Sequence, residues 1–211
     1  HPDLYPDVAI LDGNLTLSLP LDISITTVMD ALSHSLEAIW NKNANNTSTD
    51  FAISAICSIL RNVEELKQNP FDLSIRNKLL NASTVSGLAF SNTTTAAAHS
   101  ISYPLTIHYG IPHGVASSIG LIPLLEINGE FIKDPLNRIC KNLELTYDKL
   151  KQLIKTIPQG VIPYTLDAWG IPEDQLPKLV DESFTKGRMN NNIVDLKTDD
   201  VLMILKELYS N

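Results

Sequence analysis

Apolar residues recur every three or four positions along most of this chain, the spacing that places them on one face of a helix. Over residues 25–40 the stripe Val28, Leu32, Leu36 and Ile39 predicts one helix. Thr47 or Ser48 is placed to cap a second. In that helix Phe51, Ile53, Ile56, Ile59, Leu60, Val63 and Leu66 repeat until Asn69-Pro70 stops the run. A third helix is expected over residues 73–90, and a further helical stretch over 93–102. Tyr103-Pro104 should break that stretch, because proline disfavours the helical conformation in the residue before it, and a loop over 106–112 should follow. Beyond it come an apolar segment at 115–125 and helical pieces near 147–157, 175–184 and 199–209.

The first twenty residues depart from this pattern. Pro2, Pro6 and Pro20 surround the apolar run Val8-Ala9-Ile10-Leu11, which reads as a short strand and a crossing segment. The helices that follow need one another for burial. The expected architecture is therefore a single all-α domain over residues 1–211, a multi-helix bundle-like arrangement with an extended lead-in segment over 1–22. No GxGxxG or Walker pattern occurs, and the glycines are scattered, so no element of this chain is expected to cradle a dinucleotide pyrophosphate.

Composition narrows the class. Of the 211 residues 44% are hydrophobic, enough for a packed core. The net charge of −8 argues against nucleic acid or an anionic membrane as partner. No apolar run approaches the roughly eighteen residues of a membrane span. The start lacks the basic and apolar regions of a signal peptide, so a cytoplasmic location is expected. Cys57 and Cys140 sit in apolar patterns far apart and are expected to stay reduced.

The chemistry is carried by histidine, of which the chain has five. Asp30 and His34 are four apart and share one helix face, and His99 and His113 follow fourteen residues apart. One carboxylate and three imidazoles make a mixed O/N set suited to Fe(II), Zn or Ni, and without a thiolate it leaves room for a further ligand. Glu37, three after His34, reads equally as an acceptor behind a ligand or as a solvated charge. Gly110 and Gly114 are expected to permit the tight backbone that delivers His113, while Phe90, Trp40 and Met29 read as core. His108 reads as a loop residue near the substrate, and His1 as a terminal residue without a role.

Several segments together resemble one family. MDALSHSLEAIW resembles the first metal motif of the iron-containing (group III) alcohol dehydrogenases, and SGLAFSNTTTAAAHSISYPLTIHYGIPHG the second and third. PDVAILDGNLTLSLP is similar to the stretch leading from that family's nucleotide-binding domain into its helical one. LDAWGIPEDQLPKLVDESF and LKTDDVLMILKELY are similar to its final helices. The resemblance implies a dehydroquinate synthase-like helical domain, the metal-binding half of an NAD- or NADP-dependent enzyme acting on a small alcohol or aldehyde. It implies metal ligands at Asp30, His34, His99 and His113, with Leu19 and His113 bordering the dinucleotide. The nucleotide would be held by an N-terminal α/β domain that this chain lacks. A monomer or weak homo-oligomer is expected, inactive by itself.

One position departs from the family pattern. Many members have a histidine four residues after the one matching His99, where this chain has Tyr103, a proton relay or a core aromatic. AAAHSISYPLT is similar to a branch that includes phosphonoacetaldehyde reductases, which implies a small anionic aldehyde as substrate. Two other readings compete. Relatives of glycerol dehydrogenase and dehydroquinate synthase use three protein ligands, against which His34 speaks. The other is a free-standing helical interaction or scaffold domain that has kept the ligands without catalysis, which the intact metal set opposes.

Overall fold

Local side-chain chemistry decides where the long helices begin. The computed structural model describes residues 6–209 and places α1 at Leu21–Ile39, α2 at Asn46–Gln68 and α3 at Leu73–Thr93. Asp22 lies in the first turn of α1, where a carboxylate offsets the helix's positive end. Asn45 caps α2: its side chain accepts the Ser48 N–H while the Ser48 hydroxyl accepts the Asn45 N–H. The expected cap at Thr47 or Ser48 is thereby corrected. Ser48 takes part, but from inside the helix as the reciprocal half of a capping box. Asp72 caps α3 through the Ile75 N–H.

The chain continues through α4 (Ala97–Tyr109), α5 (His113–Ser118), α6 (Leu121–Asn128), α7 (Lys133–Leu143), α8 (Tyr147–Thr156), α9 (Leu176–Glu182) and α10 (Thr198–Glu207). The all-α expectation holds: among the described residues there is no strand, only an antiparallel bridge between Asn41 and Asn192. Helix α1 is central. It packs against α2, α3, α4 and α5, and it buries polar residues such as Ser33, Ser35 and Glu37 along with its apolar stripe. No single described helix is long and apolar enough to cross a membrane.

Two further expectations are corrected, and one helix is added. Val8-Ala9-Ile10-Leu11 forms no strand, and Val8 and Ile10 are exposed. Helix α4 does not break at Tyr103-Pro104 but runs to Gly110, whose left-handed conformation ends it. Pro104 costs the helix one N–H, roughly 3 kcal/mol in an exposed setting, but here Ile101, Pro104 and Leu105 are all buried and their packing outweighs it. Helix α7 was not anticipated, although Leu136, Ile139, Cys140 and Leu143 carry the helical spacing. Pro2, read with the extended lead-in, and His1, read as a terminal residue without a role, fall outside the described residues.

Arg76 ties the lead-in segment to the helices. Its buried guanidinium donates to Pro70 O at 2.7 Å, Ser24 Oγ at 2.6 Å and Leu19 O at 3.1 Å. These neutral acceptors join the start of α1 to the α2–α3 turn, and burial pushes the guanidinium pKa down. Cys57 and Cys140 are free thiols.

Candidate metal centre

Three helices converge on one point. Helix α1 presents Asp30, His34 and Glu37 from one face, α4 supplies His99, and α5 supplies His113 as its first residue. Asp30 Oδ1 lies 3.7 Å from His99 Nε2 and 3.7 Å from His113 Nε2. Ligand atoms of Asp30, His99 and His113 all fall within 4.8 Å of one another. The approach of α5 to α1 depends on Gly114, because a Cβ there would sit 2.2 Å from the Thr26 carbonyl oxygen and 3.1 Å from Asp30 Cβ. The missing side chain is what lets His113 reach Asp30. Gly110 does the expected turning, but Gly114 acts through close approach, with no positive φ.

His99 is held from behind. Its backbone N–H and its Nδ1 both meet the fully buried Glu37, at 3.1 Å to Oε1 and 2.6 Å to Oε2. A carboxylate can only accept, so Nδ1 carries the hydrogen and Nε2 keeps its lone pair. That Nε2 is buried with no hydrogen-bond partner. A buried nitrogen lone pair left open beside a carboxylate and a second imidazole fits a cation better than it fits a hydrogen-bond network. Glu37 therefore lies behind a candidate ligand, and the solvated alternative is excluded by its burial.

His34 lies beside this trio. Its Nδ1 is 3.8 Å from Asp30 Oδ2, and its ring is stacked between Phe90, with centroids 4.2 Å apart, and His99, at 4.5 Å. Burial is the leading cause that pushes its pKa down to about 4. The Asp30 charge opposes this and the His99 charge adds to it. The ring is neutral at pH 7, the form in which an imidazole could bind a metal. Asp30 is held by the Ser117 hydroxyl, which donates to Oδ1 at 2.9 Å.

The structure thus brings together Asp30, His34, His99 and His113, the residues singled out by spacing and resemblance. Tyr103 stands one turn beyond His99 on α4, half-buried, its hydroxyl accepting from Arg188 Nε at 3.2 Å. Leu19 borders a separate cavity lined by Ser24, Val28, Ala31, Leu79 and Arg76. His108 is corrected from a loop residue to a helix residue of α4, exposed and paired with Glu182 on α9. Sequence reasoning missed Ser117, although it lies four after His113; Phe90 packs against the core as expected, and its ring also covers His34. Arg188 carried no local signal at all.

Fold and cluster together define an all-α domain built around a candidate divalent-metal centre. The chain belongs to the Fe-containing alcohol dehydrogenase family: the model of that family's C-terminal part matches residues 24–209. It is 32% identical over 200 residues to long-chain-alcohol dehydrogenase 1 of Geobacillus thermodenitrificans, covering 90% of this chain and 50% of that protein. It is 36% identical over 198 residues to 1,3-propanediol dehydrogenase of Citrobacter freundii, covering 89% and 51%. The solved sulfoacetaldehyde reductase of Bifidobacterium kashiwanohense, determined in complex with NAD+, matches with a TM-score of 0.88 and 28% identity over 98% of this chain and 55% of that one. The chain spans about half the length of the curated relatives it matches.

Proposed function

We propose that this chain is the metal-binding catalytic half of an NAD(P)-dependent alcohol dehydrogenase or aldehyde reductase. The observation that carries the reading is His99 Nε2, buried, unpartnered and turned by Glu37 toward Asp30 and His113. Asp30, His34, His99 and His113 would hold Fe(II), with Zn or Ni as alternatives that the same O/N donor set accepts. A cation bound there supplies Lewis-acid polarisation of the oxygen of an alcohol or aldehyde during hydride exchange with a nicotinamide.

The chain's own residues do the positioning. Glu37 fixes the His99 tautomer, Ser117 orients Asp30, and Phe90 shields the face of His34. Tyr103, one turn beyond His99 on α4, is the residue we assign to proton exchange with the substrate oxygen, its hydroxyl accepting from Arg188 Nε. NAD or NADP is assigned to an N-terminal nucleotide-binding domain, with Leu19 and the half-exposed His113 as its border on this side. A small aldehyde bearing an acid group is the substrate we favour. The likeness of AAAHSISYPLT to phosphonoacetaldehyde reductases and the match to a sulfoacetaldehyde reductase support it.

The test is metal content by plasma mass spectrometry after anaerobic purification, with a His99→Ala variant alongside. About one transition metal per chain, lost in the variant, is expected. No metal in the unaltered chain after Fe(II) or Zn(II) is supplied would overturn the reading. A second reading, the three-ligand arrangement of glycerol dehydrogenase and dehydroquinate synthase, is favoured by the tight trio of Asp30, His99 and His113. Metal retained undiminished in His34→Ala would decide for it.

A further inference from the structure

Among the described residues Arg188 has no anionic partner within ion-pair distance, although acidic residues outnumber basic ones by 24 to 16 in the whole chain. Its Nε donates to the Tyr103 hydroxyl at 3.2 Å, and Nη1 makes only a marginal 3.5 Å contact with Gly187 O. The rest of the planar fork is available for a bidentate oxyanion.

The loop that carries Arg188 is pinned to the elements that build the metal centre. The Ser100 hydroxyl donates to Ser183 O at 2.5 Å and accepts the Thr185 N–H at 3.2 Å. Asn191 Nδ2 donates to Thr94 Oγ1 at 2.9 Å and to Thr95 O at 2.8 Å, in the turn just before α4. The Lys42 N–H donates to Asn191 O at 2.7 Å, and Met189 is buried. This anchoring removes much of the conformational entropy that binding through a free arginine would cost. His99 and Tyr103 are four positions apart on α4, a backbone rise of about 6 Å, so the guanidinium bonded to Tyr103 is tied to the same helix that carries His99 into the cluster.

We propose that Arg188, positioned by Tyr103, is the residue that selects substrates with a terminal oxyanion. The inference rests on the aldehyde-reductase reading and adds the residue that sets its specificity. Sulfonate, phosphonate and carboxylate share the required chemistry.

The experiment compares kcat/KM, in the full-length protein that carries this chain, for sulfoacetaldehyde, phosphonoacetaldehyde, succinic semialdehyde and the neutral propanal. The unaltered protein should favour at least one anionic aldehyde over propanal. Arg188→Met should reduce that preference by about 30- to 100-fold, mainly through KM, the loss expected for one charge-assisted pair. Arg188→Lys should restore part of it, and Tyr103→Phe should weaken it in the same direction. Rising salt should erode the preference in the unaltered protein but not in Arg188→Met. An unaltered protein without the preference, or an Arg188→Met variant that keeps it, overturns the proposal. If no aldehyde is turned over, the dehydrogenase reading fails by itself. Calorimetric binding of 2-hydroxyethanesulfonate then decides about Arg188: affinity lost in Arg188→Met sustains its role as an anion site, and equal affinity or none refutes it.

Discussion

Glu37 accepts two hydrogen bonds from His99, one from the backbone N–H at 3.1 Å and one from ring Nδ1 at 2.6 Å, and so sets both the place and the tautomer of that imidazole. The carboxylate sits in the last turn of α1, wholly buried, and its two oxygens are spent on one residue 62 positions away. A side chain so placed acts on the site without touching a substrate.

Glu37→Gln tests this. The amide keeps the shape, but its NH2 end can no longer accept, so one of the two His99 bonds is lost or the ring turns over. Metal affinity should fall about 10- to 100-fold. Competition with a chromophoric chelator measures it. Unchanged affinity, with thermal stability also unchanged, would remove Glu37 from the account.

Gly114→Ala should be among the most damaging single changes in the chain. The added Cβ meets the Thr26 carbonyl oxygen at 2.2 Å, and backbone on both sides leaves little room to yield. A loss of about 3 kcal/mol or more in urea unfolding is expected. Metal binding should suffer beyond that loss, because the displaced helix carries His113. Gly87→Ala, with no atom within 4 Å of the new Cβ, is the matched control.

Thr94 adopts φ +63° and ψ 178°, a conformation that side-chain-bearing residues rarely hold. The Asn191 amide clamps it there through Oγ1. Thr94→Gly relieves the strain and gives up one hydrogen bond worth about 1 kcal/mol net, so stability should hold or rise by up to about 1 kcal/mol. Thr94→Ala keeps the strain and loses the bond, and should cost about 1 kcal/mol. Chemical denaturation ranks the three, and alanine ranking above threonine would refute the clamp.

The metal-free chain should weaken in mild acid. Burial pushes the folded-state pKa of His34 down to about 4, against an unfolded value near 6.5. The groups facing it are Asp30 and Glu37, which oppose the shift, and His99 and His113, which reinforce it. Between those values the unfolded chain binds more protons. Full stability is therefore present above about pH 6.5 and is lost progressively as pH falls toward 4. Urea midpoints from pH 7.5 to 4.5 should show this decline, and His34→Gln should flatten it. Identical slopes for the two proteins would place the proton uptake elsewhere.

The helical class of the domain, and the grouping of Asp30, His34 and Glu37 on one face of α1, were legible because helical periodicity is a local property of the chain. Residue type supplied the rest of the candidate metal set, since histidine is scarce here and the resemblance put each one in order. Local rules failed where burial decided. Pro104 stays helical because Leu105 and Ile101 are packed around it, and Val8 to Leu11 form no strand because no partner strand exists among the described residues.

The sequence by itself determined which side chains can hold a metal and which of them share a helix. The tertiary structure alone decided that α4 and α5 meet α1, that Glu37 turns Nε2 of His99 inward, and that Arg188 reaches Tyr103. The reason is physical: those relations join residues 62 to 87 positions apart, and they depend on close backbone approach and burial, neither of which a local pattern encodes.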